Sequence, residues 1–233
     1  MNNQTTTLRL GIYGALINIA GILLSGPLGL ILVTQLAPNP AWQSPQVWAS
    51  HFHPVQTLPF FFGFLLVGGY IVMVSVTHQL AEKQERVYTT MALLFTSAFV
   101  ALIFFNYINQ TTFLPALARD YRPAYDPLIT AFSFSNPLSL GWAIEMWGYA
   151  LLGAATICTA PVFHRNRTEK ITAALMVANG LVSLLTAMLA AVNLAWVFTP
   201  GGLIGYNVWN LLVMVLSIFF LRSLRLRMEE PVL

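Results

Sequence analysis

The sequence predicts an all-α protein: a polytopic membrane protein built as a bundle of six transmembrane helices. Three observations carry that expectation. Of 233 residues, 57% are hydrophobic and only 8% are charged, against about 25% charged in a typical soluble domain. So few charges cannot cover a soluble surface, and lipid is the natural solvent for the remaining apolar area. The apolar residues gather into six runs, each near the ~20 residues that cross a bilayer. All but two of the 11 Lys and Arg residues fall on one side of the resulting topology, as the positive-inside rule requires.

The first run spans residues 8–36. Gly11, Gly14, Gly21, Gly26 and Gly29 let a neighbouring helix approach it closely, and Pro27 predicts a kink. It follows a short polar N-terminus, but it exceeds a signal-peptide core and has no convincing cleavage site, so it is read as retained. The other runs cover residues 55–78, 87–108, 137–163, 171–198 and 203–221. Arg9 begins the first run. Lys83 and Arg86 separate the second from the third, and Arg165, Arg167 and Lys170 separate the fourth from the fifth. Arg222, Arg225 and Arg227 follow the sixth, in a tail ending Glu229-Glu230-Pro231 and two apolar residues. Only Arg119 and Arg122 lie on the other side. Both termini are therefore expected in the cytoplasm, and the chain in the cytoplasmic (inner) membrane.

Three connections fall on the external side. Residues 37–54 carry no charge but include Trp42 and Trp48. The loop 109–136 is the longest and holds Phe113, Tyr121, Tyr125, Phe132 and Phe134. A loop of that length is expected to cover the outer end as a lid, or to anchor in the interface. The third is the tight turn 199–202. Residues 1–233 thus form a single six-span domain, with no soluble domain and no visible internal repeat.

Composition also excludes function classes. The net charge of +3 is dispersed in short clusters, which read as topology signals rather than a nucleic-acid surface. The single cysteine, Cys158, allows neither an intrachain disulfide nor a Cys-based metal site. His51 and His53 lack a nearby acidic or thiol partner, and His78 and His164 do not pair within a span. No metal and no haem or other cofactor is expected. There is no Gly-rich phosphate loop, nucleophile elbow or zinc-binding His-Glu-x-x-His.

The functional clue is Glu145, the only acidic residue inside a long apolar segment. A carboxyl group in hydrocarbon costs several kcal/mol, and such groups usually serve a function. No Lys or Arg lies deep in any span to hold it ionised, so a neutral carboxyl donor is expected. Gly141, Trp142, Glu145, Gly148 and Tyr149 share one helical face. In span five Asn179, Ser183, Thr186, Ala190 and Asn193 share another, and span six offers Tyr206, Asn207 and Asn210. Asn106 closes span three. Helical rise puts Glu145 about 12 Å, Asn210 about 10 Å and Asn193 about 8 Å below the outer ends of their spans.

If those faces converge, they make an outward-opening pocket. Its candidate ligand-binding residues are Trp142, Tyr149, Asn106, Asn193, Tyr206, Asn207 and Asn210, with Glu145 the candidate catalytic group. The leading expectation is a membrane protein binding a small or lipophilic ligand around Glu145. The alternatives are an enzyme on a lipid or isoprenoid with Glu145 as general acid or base, a small proton-coupled carrier, and a structural subunit. Expected partners are membrane lipids, the lipophilic ligand, and a second copy or partner subunit.

Overall fold

The computed structural model describes residues 3–229. Among these every regular element is helical. Six helical stretches are long and apolar enough to cross a membrane. The first is α1 (Asn3–Ser25) continued by α2 (Pro27–Leu36). The others are α4 (Leu58–Leu80), α5 (Arg86–Ile108), α8 (Leu140–Thr159), α9 (Arg167–Val192) and α10 (Pro200–Glu229). Three short helices lie in the connections: α3 (Pro45–Ser50), α6 (Leu114–Arg119) and α7 (Asp126–Phe132).

Each spanning helix packs on the next in sequence, and α10 returns to α1, closing a ring. Large apolar side chains cover the outside, Leu181, Leu185, Leu203 and Ile204 among them, as lipid-facing helices require. Inside, one apolar layer contains Leu8, Val76, Phe163, Met176, Phe220 and Leu224. A second contains Ile22, Leu66, Tyr70, Phe99, Ile103, Tyr107, Leu152 and Val213. Polar groups on the inner faces pair across helices. Asn18 Nδ2 donates to Leu66 O at 2.8 Å, and Ser217 Oγ donates to Asn18 Oδ1 at 2.8 Å, tying α1, α4 and α10 together. Asn179 Nδ2 donates to Thr156 Oγ1 at 3.1 Å between α9 and α8.

The first span breaks where Pro27 predicts it. Gly26 leaves helical geometry at φ −88°, ψ −109°, and Pro27 opens α2 without needing an N–H. Three expected boundaries are corrected. Span three does not end at Ile108: it passes through a π turn, Asn109–Phe113, into α6. The widened turn precedes Pro115, which cannot supply the N–H of an uninterrupted α-helix. The loop expected over 109–136 is thus largely helical, with α7 in its second half. Span five stops at Val192, because Asn193 is extended at φ −149°, ψ 100°. Span six runs on to Glu229 because its arginines do not break a helix and Arg227 is held from the side. Glu230 and Pro231 lie outside the described residues.

The two ends of the bundle differ. At the end holding most arginines, Arg227 Nε donates to Glu169 Oε1 at 2.6 Å and Nη2 to Glu169 Oε2 at 3.0 Å. Nη2 also donates to Val162 O at 2.7 Å, and the guanidinium lies 5.4 Å from the Phe163 ring centre. At the other end, residues 37–57 and 109–136 pack on each other around Trp48, Leu114 and Ile129. Gln56 Nε2 fastens this cap by donating to Ala37 O at 3.0 Å and His51 O at 3.2 Å. His53 Nδ1 accepts from Val55 N and caps a short 3-10 turn.

Candidate functional site

Beneath the cap sits Glu145, buried in α8. The chain builds its surroundings locally. Asn136 Nδ2 donates to Thr130 O, and its Oδ1 accepts from Leu138 N, so the residue before Pro137 turns the chain toward α8. Ser139 Oγ then caps the helix by accepting from Trp142 N at 3.4 Å. Gly141 has no side chain, because a Cβ would lie 2.8 Å from the Phe134 ring and 2.9 Å from Phe132 O. The connection therefore presses on the first turn of α8.

That contact starts an aromatic roof. Phe134 stacks on Trp142 with ring centres 4.6 Å apart, and Trp142 Nε1 donates to Phe134 O at 2.9 Å. Phe60 of α4 meets Phe134 edge-on at 5.3 Å and Tyr107 at 5.8 Å. Phe198, between α9 and α10, meets Trp142 edge-on at 5.5 Å. Glu145 is one helical turn below Trp142.

Both carboxyl oxygens of Glu145 are engaged from α5. Asn106 Nδ2 donates to Glu145 Oε2 at 2.8 Å and to Gly141 O at 2.9 Å. A backbone carbonyl only accepts, so Gly141 fixes which end of the Asn106 side chain faces α8. Asn106 is fully buried, and its Oδ1 has no hydrogen-bond partner among the described residues. Tyr107 OH lies 3.3 Å from Glu145 Oε1 and 2.9 Å from Tyr149 OH. Gly63 of α4 makes this possible, since a Cβ there would collide with the Tyr107 ring. Tyr149 then packs edge-on against Trp209 of α10 at 4.7 Å, and Trp209 Nε1 donates to Ser183 Oγ of α9 at 3.2 Å. The site thus draws on α4, α5, α8 and α10.

The geometry differs from the expected carboxyl donor in one respect. Toward Asn106, Glu145 is an acceptor, because the amide N–H can only donate. Any carboxyl proton belongs on Oε1, facing Tyr107.

Of the residues read from sequence, Asn106 and Tyr149 join Glu145 directly or through Tyr107, and Trp142 forms the roof. Tyr206 is electrostatically close to Glu145 although its surface is partly exposed. Asn210 Nδ2 donates to Tyr206 O at 2.8 Å, and its Oδ1 faces Gly26 at the break of the first span. Asn207 is exposed, with Nδ2 donating to Leu203 O of its own helix at 2.8 Å. Asn193 is exposed past the end of α9 and is not brought to the cluster. The expected convergence of all four spans is corrected at these last two positions, because α9 ends one residue before Asn193 and Asn207 turns outward. Tyr107 was not among the candidate ligand-binding residues, yet it links Glu145 to Tyr149. Its only sequence signal is its place beside Asn106 at the end of span three.

A small cavity with a mostly apolar lining lies nearer the arginine-rich end. It is water-sized and lined by Tyr70, Thr77, Thr156, Thr159 and Met176, among others. The Tyr70 hydroxyl is buried there without a hydrogen-bond partner among the described residues.

Comparison with known proteins finds no matching family model, curated protein or solved structure. The site's own chemistry therefore carries the functional reading.

Proposed function

We propose that this integral membrane protein binds a small lipophilic ligand whose polar group docks at the Glu145–Tyr107–Tyr149 cluster. The observation that carries the reading is a buried carboxyl group with no basic partner among the described residues, held by Asn106 and Tyr107 beneath aromatic side chains. A group needed only to join α5 to α8 could be Asn or Ser, as in the Asn179–Thr156 pair; a carboxyl group is a costlier choice inside a membrane. Aromatic walls with few convergent polar groups are the usual make-up of a small-molecule site. The unpartnered Asn106 Oδ1 adds a second polar atom that a bound group can satisfy. Trp209 of α10 packs on Tyr149 and Tyr206 of α10 is partly exposed, which favours entry between α8 and α10.

The orientation follows the positive-inside rule: both chain ends on the cytoplasmic side of the cytoplasmic membrane, the cap outside. The site then opens toward the external leaflet.

The test is retention of a co-purified hydrophobic molecule. Protein extracted with its native lipids is analysed by native mass spectrometry, beside Glu145→Leu and Asn106→Leu. The wild type is expected to keep a bound species that both variants lose. Equal retention in all three overturns the reading.

A further inference from the structure

The Glu145 cluster holds a directional hydrogen-bond chain, and its direction can reverse. When Glu145 is ionised, Tyr107 donates to Oε1, at 3.3 Å. The single Tyr107 proton is then used, so across the 2.9 Å contact Tyr149 must donate to Tyr107. The outer face of the Tyr149 oxygen is left with lone pairs only. A proton delivered to that oxygen changes every link. Tyr149 passes its original proton to Tyr107, Tyr107 passes its own to Glu145 Oε1, and the new proton stays on Tyr149. One proton has been taken up, no charge is left on a tyrosine, and both O–H···O bonds point the other way. Tyr149 now offers a donor where it offered an acceptor.

We propose that Glu145, Tyr107 and Tyr149 form such a proton relay, and that it selects the ligand by hydrogen-bond polarity: a lipophilic carbonyl compound when protonated, an alcohol or phenol when ionised. The inference rests on the ligand-binding reading and names the ligand class for that site. Three features support it. Asn106 is locked by Gly141 O and cannot accept the carboxyl proton, which leaves Tyr107 as the only exit from Oε1. Tyr149 has no hydrogen-bond partner besides Tyr107 among the described residues, so its outer face is available. It also sits against Trp209, at the edge of the cluster toward α10.

Among the described residues no basic group competes for the proton. The titratable groups around Glu145 are tyrosines: Tyr107 from α5, Tyr149 from its own helix and Tyr206 from α10. Tyr70 of α4 is the next, electrostatically close to Tyr149 behind Phe99. One turn beyond Tyr149, α9 places Gly180 and Ser183 against Gly153 of α8, and neither titrates.

Benzophenone tests the idea, because it is a lipophilic carbonyl compound and also a photolabel; benzhydrol is its alcohol counterpart. The full-length protein in nanodiscs is photolabelled across a pH series, and labelled peptides are mapped by mass spectrometry. Labelling of lipid-facing α9 peptides serves as the internal reference. Infrared absorption of the Glu145 carboxyl group, assigned with Glu145→Gln, reports its protonation. Labelling around Tyr149 and Trp209 is expected to rise several-fold as Glu145 takes up its proton, with benzhydrol competing best above that range. Tyr107→Phe should abolish the pH dependence at whatever level of labelling remains, because Tyr149 loses its link to Glu145. Tyr149→Phe removes the hydroxyl that meets the ligand, so it should lower the labelling at every pH and leave no pH dependence; it serves if Tyr107→Phe fails to fold. Wild-type labelling at the site that ignores pH overturns the relay but leaves the binding reading standing. A pH dependence that survives both tyrosine variants does likewise. Absence of labelling at the site at every pH overturns both.

Discussion

Two buried carboxyl groups show how differently the same side chain is used in this bundle. Glu169 is fully buried at the arginine-rich end and meets Arg227 through two hydrogen bonds. It also accepts from Arg165 N at 2.9 Å. Every group there is fixed: the guanidinium also holds Val162 O, and the pair joins α9 to α10 and to the end of α8. Glu145 lies at the opposite end of the bundle with an amide and a phenol as its partners. Nothing there neutralises it, and its phenol partner can reverse the bond. The first arrangement suits a pin that holds helices in place. The second suits a group that changes state or meets a ligand.

Breaking the pin gives the largest expected effect. Arg227→Met leaves Glu169 buried without its charge partner, which costs about 3–5 kcal/mol. It should lower the melting temperature in detergent more than any change at the Glu145 cluster. The double variant Arg227→Met with Glu169→Leu should recover most of that loss. If the single variant melts like the wild type, the pair does not act as a pin.

Crowding the other region comes next. Gly63→Leu forces a side chain into the Tyr107 ring, and overpacking of this kind costs about 1–3 kcal/mol. It should also displace the Tyr107 hydroxyl and lower ligand retention. A variant with wild-type stability and retention would show that α4 does not set the ring's position.

Asn106→Leu is expected to cost about 1–2 kcal/mol, since it leaves Gly141 O and Glu145 Oε2 without their donor. The melting temperature and ligand retention should fall together. Retention intact with stability reduced would make Asn106 part of the packing alone.

Glu145→Gln should be the mildest for the fold, at about 1 kcal/mol or less, because its amide can still meet Asn106 and Tyr107. Its effect should appear in the pH dependence of ligand binding, which the variant removes. Contrast with Arg227→Met is the sharpest form of the comparison: a large change in stability at one carboxyl partner, a change in chemistry at the other.

The parts legible in sequence were those that lipid enforces directly. Hydrocarbon leaves no backbone group unpaired, so six long apolar helices followed from run length alone. Glu145 and Asn106 were conspicuous because few polar residues occur in such runs. Tyr107 was less so, because a tyrosine near a span end is ordinary in any membrane helix. Glu169 was passed over for a similar reason. Beside Arg165 and Arg167 it reads as a solvated acid in a helix's first turn, and only the return of α10 encloses it. Asn193 misled because the helical period was carried one residue past the helix end.

The sequence by itself determined the apolar character of the chain, the number of spanning segments, the break at Pro27 and the clustering of arginines. All of these depend on one helix and its solvent. Tertiary structure alone decided which helices touch and in what rotation. A turn of α5 by a single residue, about 100°, would take Asn106 and Tyr107 away from Glu145. Close approach at Gly63 and Gly141, and the pressure of Phe134 on α8, fix that rotation. They separate a carboxyl group that merely sits in the membrane from one held between an amide and a pair of tyrosines.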